Sequence, residues 1–202
     1  MAAPINGAAG ESADRRQKLV DGQLRTGGVN DPDVLTAFLA VPREGYVAGD
    51  SLTLAYSDGP QRARVDGSPL MAPLKLARLI QALGVKQGES VLAVAGGGYS
   101  AAILKAMGAE VTEVSAGEAG TRPRTGGPFQ AILVSGGFSA NPDSLLALLA
   151  PGGKLAGFRL SPTGNHAVVI ERLESLGTDE AIIFEGSAPV LSAFEKPAAF
   201  TF

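Results

Sequence analysis

The pattern of apolar and polar positions changes character near residue 90. Before it, hydrophobic residues recur at helical spacing. Asp31 followed by Pro32 predicts a capped helix, because the Asp side chain can accept from the first free N–H groups and proline is tolerated in a first turn. Val34, Leu35, Phe38 and Leu39 mark the buried face of that helix. The same spacing in Leu76, Ala77, Leu79, Ile80 and Leu83 predicts a helix over 73–83, with Gly84 as its C-cap. A polar helix is expected over 14–25, broken at Gly27-Gly28. The Ala/Gly/Ser-rich stretch 1–13 reads as a disordered tail, leaving a single domain over 14–202. Residues 48–69 carry turn signals and scattered charge.

From Ser90 onward, β-rich runs alternate with helical ones. Strands are expected over 90–95, 110–115, 129–134 and 154–160, and helices over 99–107 and 142–149. Asn141-Pro142 opens the second of these helices, and Pro151-Gly152-Gly153 ends it. Such alternation implies a parallel sheet covered by helices. The runs 166–173, 181–185 and 198–202 read as strands with no long helix between the last two, so the C-terminal end closes antiparallel. The run Glu110 to Ser115 is half polar, unlike a strand buried on both faces, and its charges suit an exposed sheet edge.

Composition narrows the function classes. A chain of 202 residues with 45% hydrophobic content can bury a core without stapling. A net charge of −3 offers no field for nucleic acid or an anionic membrane. The absence of Cys removes disulfides and thiolate catalysis, and the lone His166 cannot build a His-based metal cluster. The N-terminal residues lack the basic start and apolar core of a signal peptide, and no apolar run reaches membrane-spanning length, which points to a cytoplasmic protein.

Candidate chemistry gathers at Val91-Leu92-Ala93-Val94-Ala95-Gly96-Gly97-Gly98-Tyr99, a buried strand running into a glycine turn and a helix start. Backbone N–H groups at such a turn can face an anionic or polar ligand. Together with Val41-Pro42-Arg43-Glu44-Gly45-Tyr46-Val47, Tyr56-Ser57-Asp58, Met71-Ala72-Pro73, Phe129 to Val134 and Leu149 to Gly153, this order resembles the protein-L-isoaspartate O-methyltransferase family, over roughly residues 18–202. The resemblance implies an abbreviated Rossmann-like class I methyltransferase sheet (α/β) with an N-terminal helical segment and antiparallel C-terminal strands. It also implies S-adenosylmethionine as cofactor, isoaspartyl-containing proteins as partners, and Gly96, Gly97, Gly98, Tyr99, Glu113 and Ser115 as cofactor-binding positions. Asp58, as a base, and Ser68, at the substrate end, are the catalytic candidates.

Several positions depart from the family pattern. Alignment of the glycine loop needs one residue deleted and puts Ala93 where the family carries an acid. Ser115 stands where a carboxylate takes the ribose hydroxyls, with Glu113 on the same strand face but about 7 Å back. The twelve residues from Ala116 to Gly127 are too few for a helix and a further strand. Pro69 and Met71 replace the hydroxyls that hold the isoaspartyl group, leaving Ser68 as the nearest hydroxyl. Loss of the ribose carboxylate alone is expected to weaken cofactor binding about 10- to 100-fold.

Plainer roles stand beside these: a bare turn for the glycines, a turn cap for Asp58, helix-junction pairing for Arg43 and Glu44, a strand-end position for His166, and a solvated strand face for Glu171, Arg172 and Glu174. The reading is therefore an isoaspartyl-methyltransferase-like protein with a degenerate cofactor site, weak or absent catalysis and a role through protein contact. An active methyltransferase and a binder of another small anionic ligand are the alternatives.

Overall fold

The computed structural model describes residues 6–49, 52–59, 61–120, 126–174 and 177–195. The N-terminal segment contributes α1 (Asn6–Leu19), a π-helical turn over Val20–Leu24, α2 (Pro32–Ala40), a 3-10 turn over Arg43–Gly45 and α3 (Leu52–Ala55). A two-stranded hairpin, β1 (Gln61–Arg62) and β2 (Pro69–Leu70), leads into α4 (Pro73–Leu83). There follow β3 (Ser90–Val94), α5 (Tyr99–Ala106), β4 (Glu110–Val114), α6 (Ala116–Gly120) and β5 (Phe129–Phe138), then α7 (Asp143–Leu146), β6 (Leu149–Ser161), β7 (Gly164–Arg172) and β8 (Thr178–Glu185).

The large sheet runs β4-β3-β5-β6-β7-β8. β4, β3, β5 and β6 are parallel, and β7 and β8 add antiparallel strands. The expected architecture is thus present, with β4 at the edge. Alternation along each central strand divides the core. Val91 and Ala93 of β3, with Ala131 and Leu133 of β5, pack against the helices of the N-terminal half. Leu92, Val94, Ile132 and Val134 face the opposite core, with Leu145 and Phe194. Burial on both faces explains why these runs are continuously apolar.

Local signals act as expected where they are strongest. The Asp31 side chain accepts from the backbone N–H of Asp33 at 2.9 Å and of Val34 at 3.3 Å. Gly84 caps α4 at φ 64°. Gln81 of α4 accepts from the N–H groups of Asn30 and Asp31, fixing the start of α2 against the sheet's helical cover.

Four expectations need correction. The helix expected from Asp14 begins at Asn6, so much of the stretch read as a tail is helical, while residues 1–5 lie outside the described ones. Its anchor is tertiary. Ser12 is buried and its hydroxyl donates to the Glu44 carboxylate, while Arg16 Nε donates to the Leu39 carbonyl at 2.9 Å. The helix expected over 142–149 is one turn, Asp143–Leu146. Pro151-Gly152-Gly153 does not end it but lies within β6, in an irregular stretch where the partner of β5 jumps from Leu149 to Lys154. Finally, the stretch after β4 holds a helical turn, α6, rather than loop alone; residues 121–125 and the strand expected over 198–202 lie outside the described ones. Among the described residues no helix is long and apolar enough to cross a membrane, and no cluster of three or more His, Cys, Asp or Glu could hold a metal ion.

Candidate functional site

The chain leaves β3 through four consecutive residues with positive φ: Ala95 at 59°, Gly96 at 94°, Gly97 at 55° and Gly98 at 82°. Two of these positions need glycine for space as well as backbone. A Cβ at Gly96 would lie 2.5 Å from Ser100 Oγ and 2.8 Å from Ser135 Oγ. One at Gly97 would lie 2.3 Å from the Ala63 methyl and 3.3 Å from Leu70 Cδ2, because the β1–β2 hairpin rests on the turn. α5 starts immediately afterwards, so Gly98 and Tyr99 present the helix N-terminus at the carboxyl ends of the parallel strands, the usual ligand position in open α/β sheets.

Beside the turn is a cavity of about 610 Å³ lined by Gly45, Tyr46, Arg64 to Asp66, Gly97, Gly98 and Glu113 to Ser115. Five of the six expected cofactor positions thus lie at or beside it: Gly97, Gly98, Glu113 and Ser115 line it, and Gly96 precedes them in the turn. Tyr99 is different. Its ring is buried in the core, packed edge-on against Phe38 and under the Arg43 guanidinium, 4.7 Å from the ring centroid. Burial pushes its phenol pKa well above the ordinary value.

The two expected cofactor residues on β4 and just beyond it, Glu113 and Ser115, have separate jobs. Glu113, paired in register with Ala93, accepts the Gly98 N–H through Oε1 at 2.9 Å. The side chain thus reaches the glycine turn from its own register position on β4. Ser115 instead caps α6. Glu118 Oε2 accepts from Ser115 N at 2.8 Å and from its hydroxyl at 2.7 Å, and Glu118 N donates back to Ser115 Oγ at 3.3 Å, a capping box. Those bonds, led by the Ser115 hydroxyl, hold the exposed Glu118 carboxyl below its ordinary pKa. The S-x-x-E spacing of Ser115 and Glu118 is the sequence signal for this cap.

A second cavity, of about 310 Å³, is lined by Asp58, Leu70, Met71, Ala72, Lys75 and Ser187 to Pro189. Leu70 therefore contacts the glycine turn and also walls this second space. Ser68 is not among its lining residues; it sits in the hairpin turn, where its carbonyl accepts from Ala63 N at 2.7 Å and its N–H donates to Asp66 at 2.9 Å. Of the two catalytic candidates, only Asp58 lines this cavity.

Sequence reasoning missed the organising role of Arg43. Its side chain is fully buried, with Nε donating to the Ala55 carbonyl at 2.9 Å and Nη2 to the Met71 carbonyl at 3.0 Å. Ala55 precedes the Tyr56-Ser57-Asp58 loop and Met71 precedes α4, so one guanidinium fixes both walls of the second cavity. Burial lowers its pKa. The signal was the Pro42-Arg43 step after an apolar helix, read as a local junction.

A mostly parallel α/β sheet with a cavity of this size at a glycine turn is the arrangement in which open α/β proteins hold their ligands. Comparison with known proteins narrows this class. The model of the protein-L-isoaspartate(D-aspartate) O-methyltransferase family matches residues 14–117. The protein-L-isoaspartate O-methyltransferase of Methylorubrum extorquens (strain PA1) is 35% identical over 194 residues, covering 84% of this chain and 83% of the relative. Protein-L-isoaspartate O-methyltransferase 1 of Rhodopseudomonas palustris (strain HaA2) is 33% identical over 177 residues, covering 75% and 72%. Among solved structures, a beta-aspartate methyltransferase from Plasmodium falciparum in complex with S-adenosyl-L-homocysteine superposes with a TM-score of 0.74 at 20% identity, covering 88% of this chain and 98% of that one. A protein-L-isoaspartate O-methyltransferase structure gives 0.70 at 22% identity, covering 87% and 65%. The chain belongs to the protein-L-isoaspartate O-methyltransferase family.

Proposed function

We propose that this protein transfers a methyl group from S-adenosylmethionine to isoaspartyl carboxylates of damaged proteins, with Glu113 in place of the carboxylate that Ser115 lacks. The observation that carries this reading is the Glu113 side chain, seated on the Gly98 N–H while lining the larger cavity. The residues there fit the cofactor. The Tyr46 ring and Val114 supply apolar walls for a nucleoside, Glu113 supplies an acceptor for ribose hydroxyls, and the Glu113 and Asp66 carboxylates favour a sulfonium cation.

Bound S-adenosylmethionine supplies an electrophilic methyl: the acceptor oxygen forms the new C–O bond as the C–S bond breaks, with its electron pair left on sulfur and no proton transferred. The chain's own task is positioning, which in-line displacements reward strongly. Arg43 fixes the Asp58 and Met71 loops, and the glycine turn lines the larger cavity. Asp58 serves as an acceptor for peptide N–H groups rather than as a base.

A second reading, cofactor binding too weak for efficient catalysis and a role through protein contact, is favoured by the hairpin. Ala63 and Leu70 pack on Gly97, which lines the larger cavity, and Leu70 also lines the smaller one, so hairpin side chains border both reactant sites. Calorimetry with S-adenosylhomocysteine, paired with methyl transfer to an isoaspartyl peptide, separates the readings. Binding at micromolar concentration, weakened about 10- to 100-fold by Glu113→Gln, is expected from loss of one charged hydrogen bond. Absence of both binding and transfer in the unaltered protein would favour the second reading.

A further inference from the structure

Lys75 lies in the first turn of α4 and lines the smaller cavity with Asp58, Met71 and Ala72. Its ammonium donates to the Ser187 carbonyl at 2.7 Å and lies 5.9 Å from the Phe158 ring centroid. Among the described residues no carboxylate forms an ion pair with it. An ammonium has three donors, and one neutral carbonyl satisfies only one of them. The segment it grips is a strap. After β8, Gly186 N donates to the Asn165 carbonyl at 2.9 Å, Gly137 N donates to Pro189 O at 2.8 Å, and Leu191 N donates to Gly137 O at 2.9 Å. Ser187 to Pro189 are thus held at both ends over the cavity, and Lys75 ties the strap to α4.

We infer that Lys75 is the specificity-determining cation of the acceptor site: it receives the carboxylate of the substrate residue, at a place where Met71 and Pro69 offer no hydroxyl. This rests on the methyl-transfer reading above and deepens it. The cavity is lined by one cation, Lys75, and one carboxylate, Asp58. The carboxylate goes to the Lys75 end, since Asp58 repels it, and Asp58 is left for a peptide N–H. Methylation converts the carboxylate to a neutral ester, which Lys75 no longer attracts. The same residue therefore favours substrate over product.

The test compares an isoaspartyl peptide with its methyl ester, both titrated into the full-length protein saturated with S-adenosylhomocysteine and read by fluorescence anisotropy. The unaltered protein should bind the free carboxylate roughly tenfold or more tightly than the ester, as expected for a charged hydrogen bond. Lys75→Gln should abolish that preference while leaving S-adenosylhomocysteine affinity unchanged, and Lys75→Arg should keep most of it. A role confined to holding the strap would weaken both peptides equally in Lys75→Gln, and that outcome overturns the assignment. Retention of the preference in Lys75→Gln overturns it too. If the unaltered protein neither binds the peptide nor methylates it, the methyl-transfer reading itself has failed, and this inference with it.

Discussion

At the scale of single residues, Arg43 and Ala95 carry the sharpest consequences. Arg43 donates to two buried carbonyls and stacks on Tyr99, with no acidic partner in hydrogen-bond range among the described residues. Replacing it with Met leaves the Ala55 and Met71 carbonyls unsatisfied, at about 1–3 kcal/mol each. Urea denaturation of Arg43→Met should therefore show a loss of at least about 2 kcal/mol, with Lys recovering only part of it because a single ammonium cannot match the planar fork. Ala95 is the one non-glycine residue with positive φ among the described residues. Glycine tolerates that conformation freely, so Ala95→Gly should raise stability by up to about 1 kcal/mol, provided the lost methyl contact with the core costs less. A lower denaturation midpoint would mean that the packing of the Ala95 methyl outweighs the backbone strain.

Among the elements, α1 shows how far a local reading can miss. Its sequence offers weak helix signals, and what holds it is a tertiary group of Ser12, Arg16, Glu44 and Tyr56. Partial burial works to raise the Glu44 pKa, but the Ser12 and Tyr56 hydroxyls donating to the carboxylate outweigh it and hold the carboxyl below its ordinary 4.5. A folded-state pKa depressed below the unfolded one gives stability that is present above the unfolded value and lost as pH falls through the folded value. Acid titration of the unfolding free energy should thus find Glu44→Gln less stable than the unaltered protein at neutral pH, by about 1 kcal/mol, with the difference closing below pH about 4. A constant difference across that range would rule out the carboxylate as its source. The helices over 32–40 and 73–83 were legible because their caps and periodicity are properties of adjacent residues. Pro151-Gly152-Gly153 was misread because the same residues suit a helix end and an irregular strand, and only pairing with β5 decides between them. The Glu113 contact lay beyond reach for a similar reason. Spacing along β4 is set by the sequence, but the distance to Gly98 depends on how the shortened turn folds back.

For the whole molecule, the parallel sheet and the change to antiparallel pairing followed from element alternation, and the edge position of β4 from its charges, and all three are present. That change also bears on the time course of folding. β6, β7 and β8 are neighbours in sequence and pair as a meander, with Ser161 opposite Gly164 across a tight turn, whereas β3 and β5 meet only after α5, β4 and α6 have been looped out between them. Closing a long loop costs more chain entropy than closing a short one, so local pairings form sooner. In pulse-labelled hydrogen exchange during refolding, amides of Val168 to Ile170 should gain protection before those of Val91 to Val94. The opposite order would place the nucleus in the parallel half, and the glycine turn, rather than the C-terminal meander, would then be among the first parts of this chain to take shape.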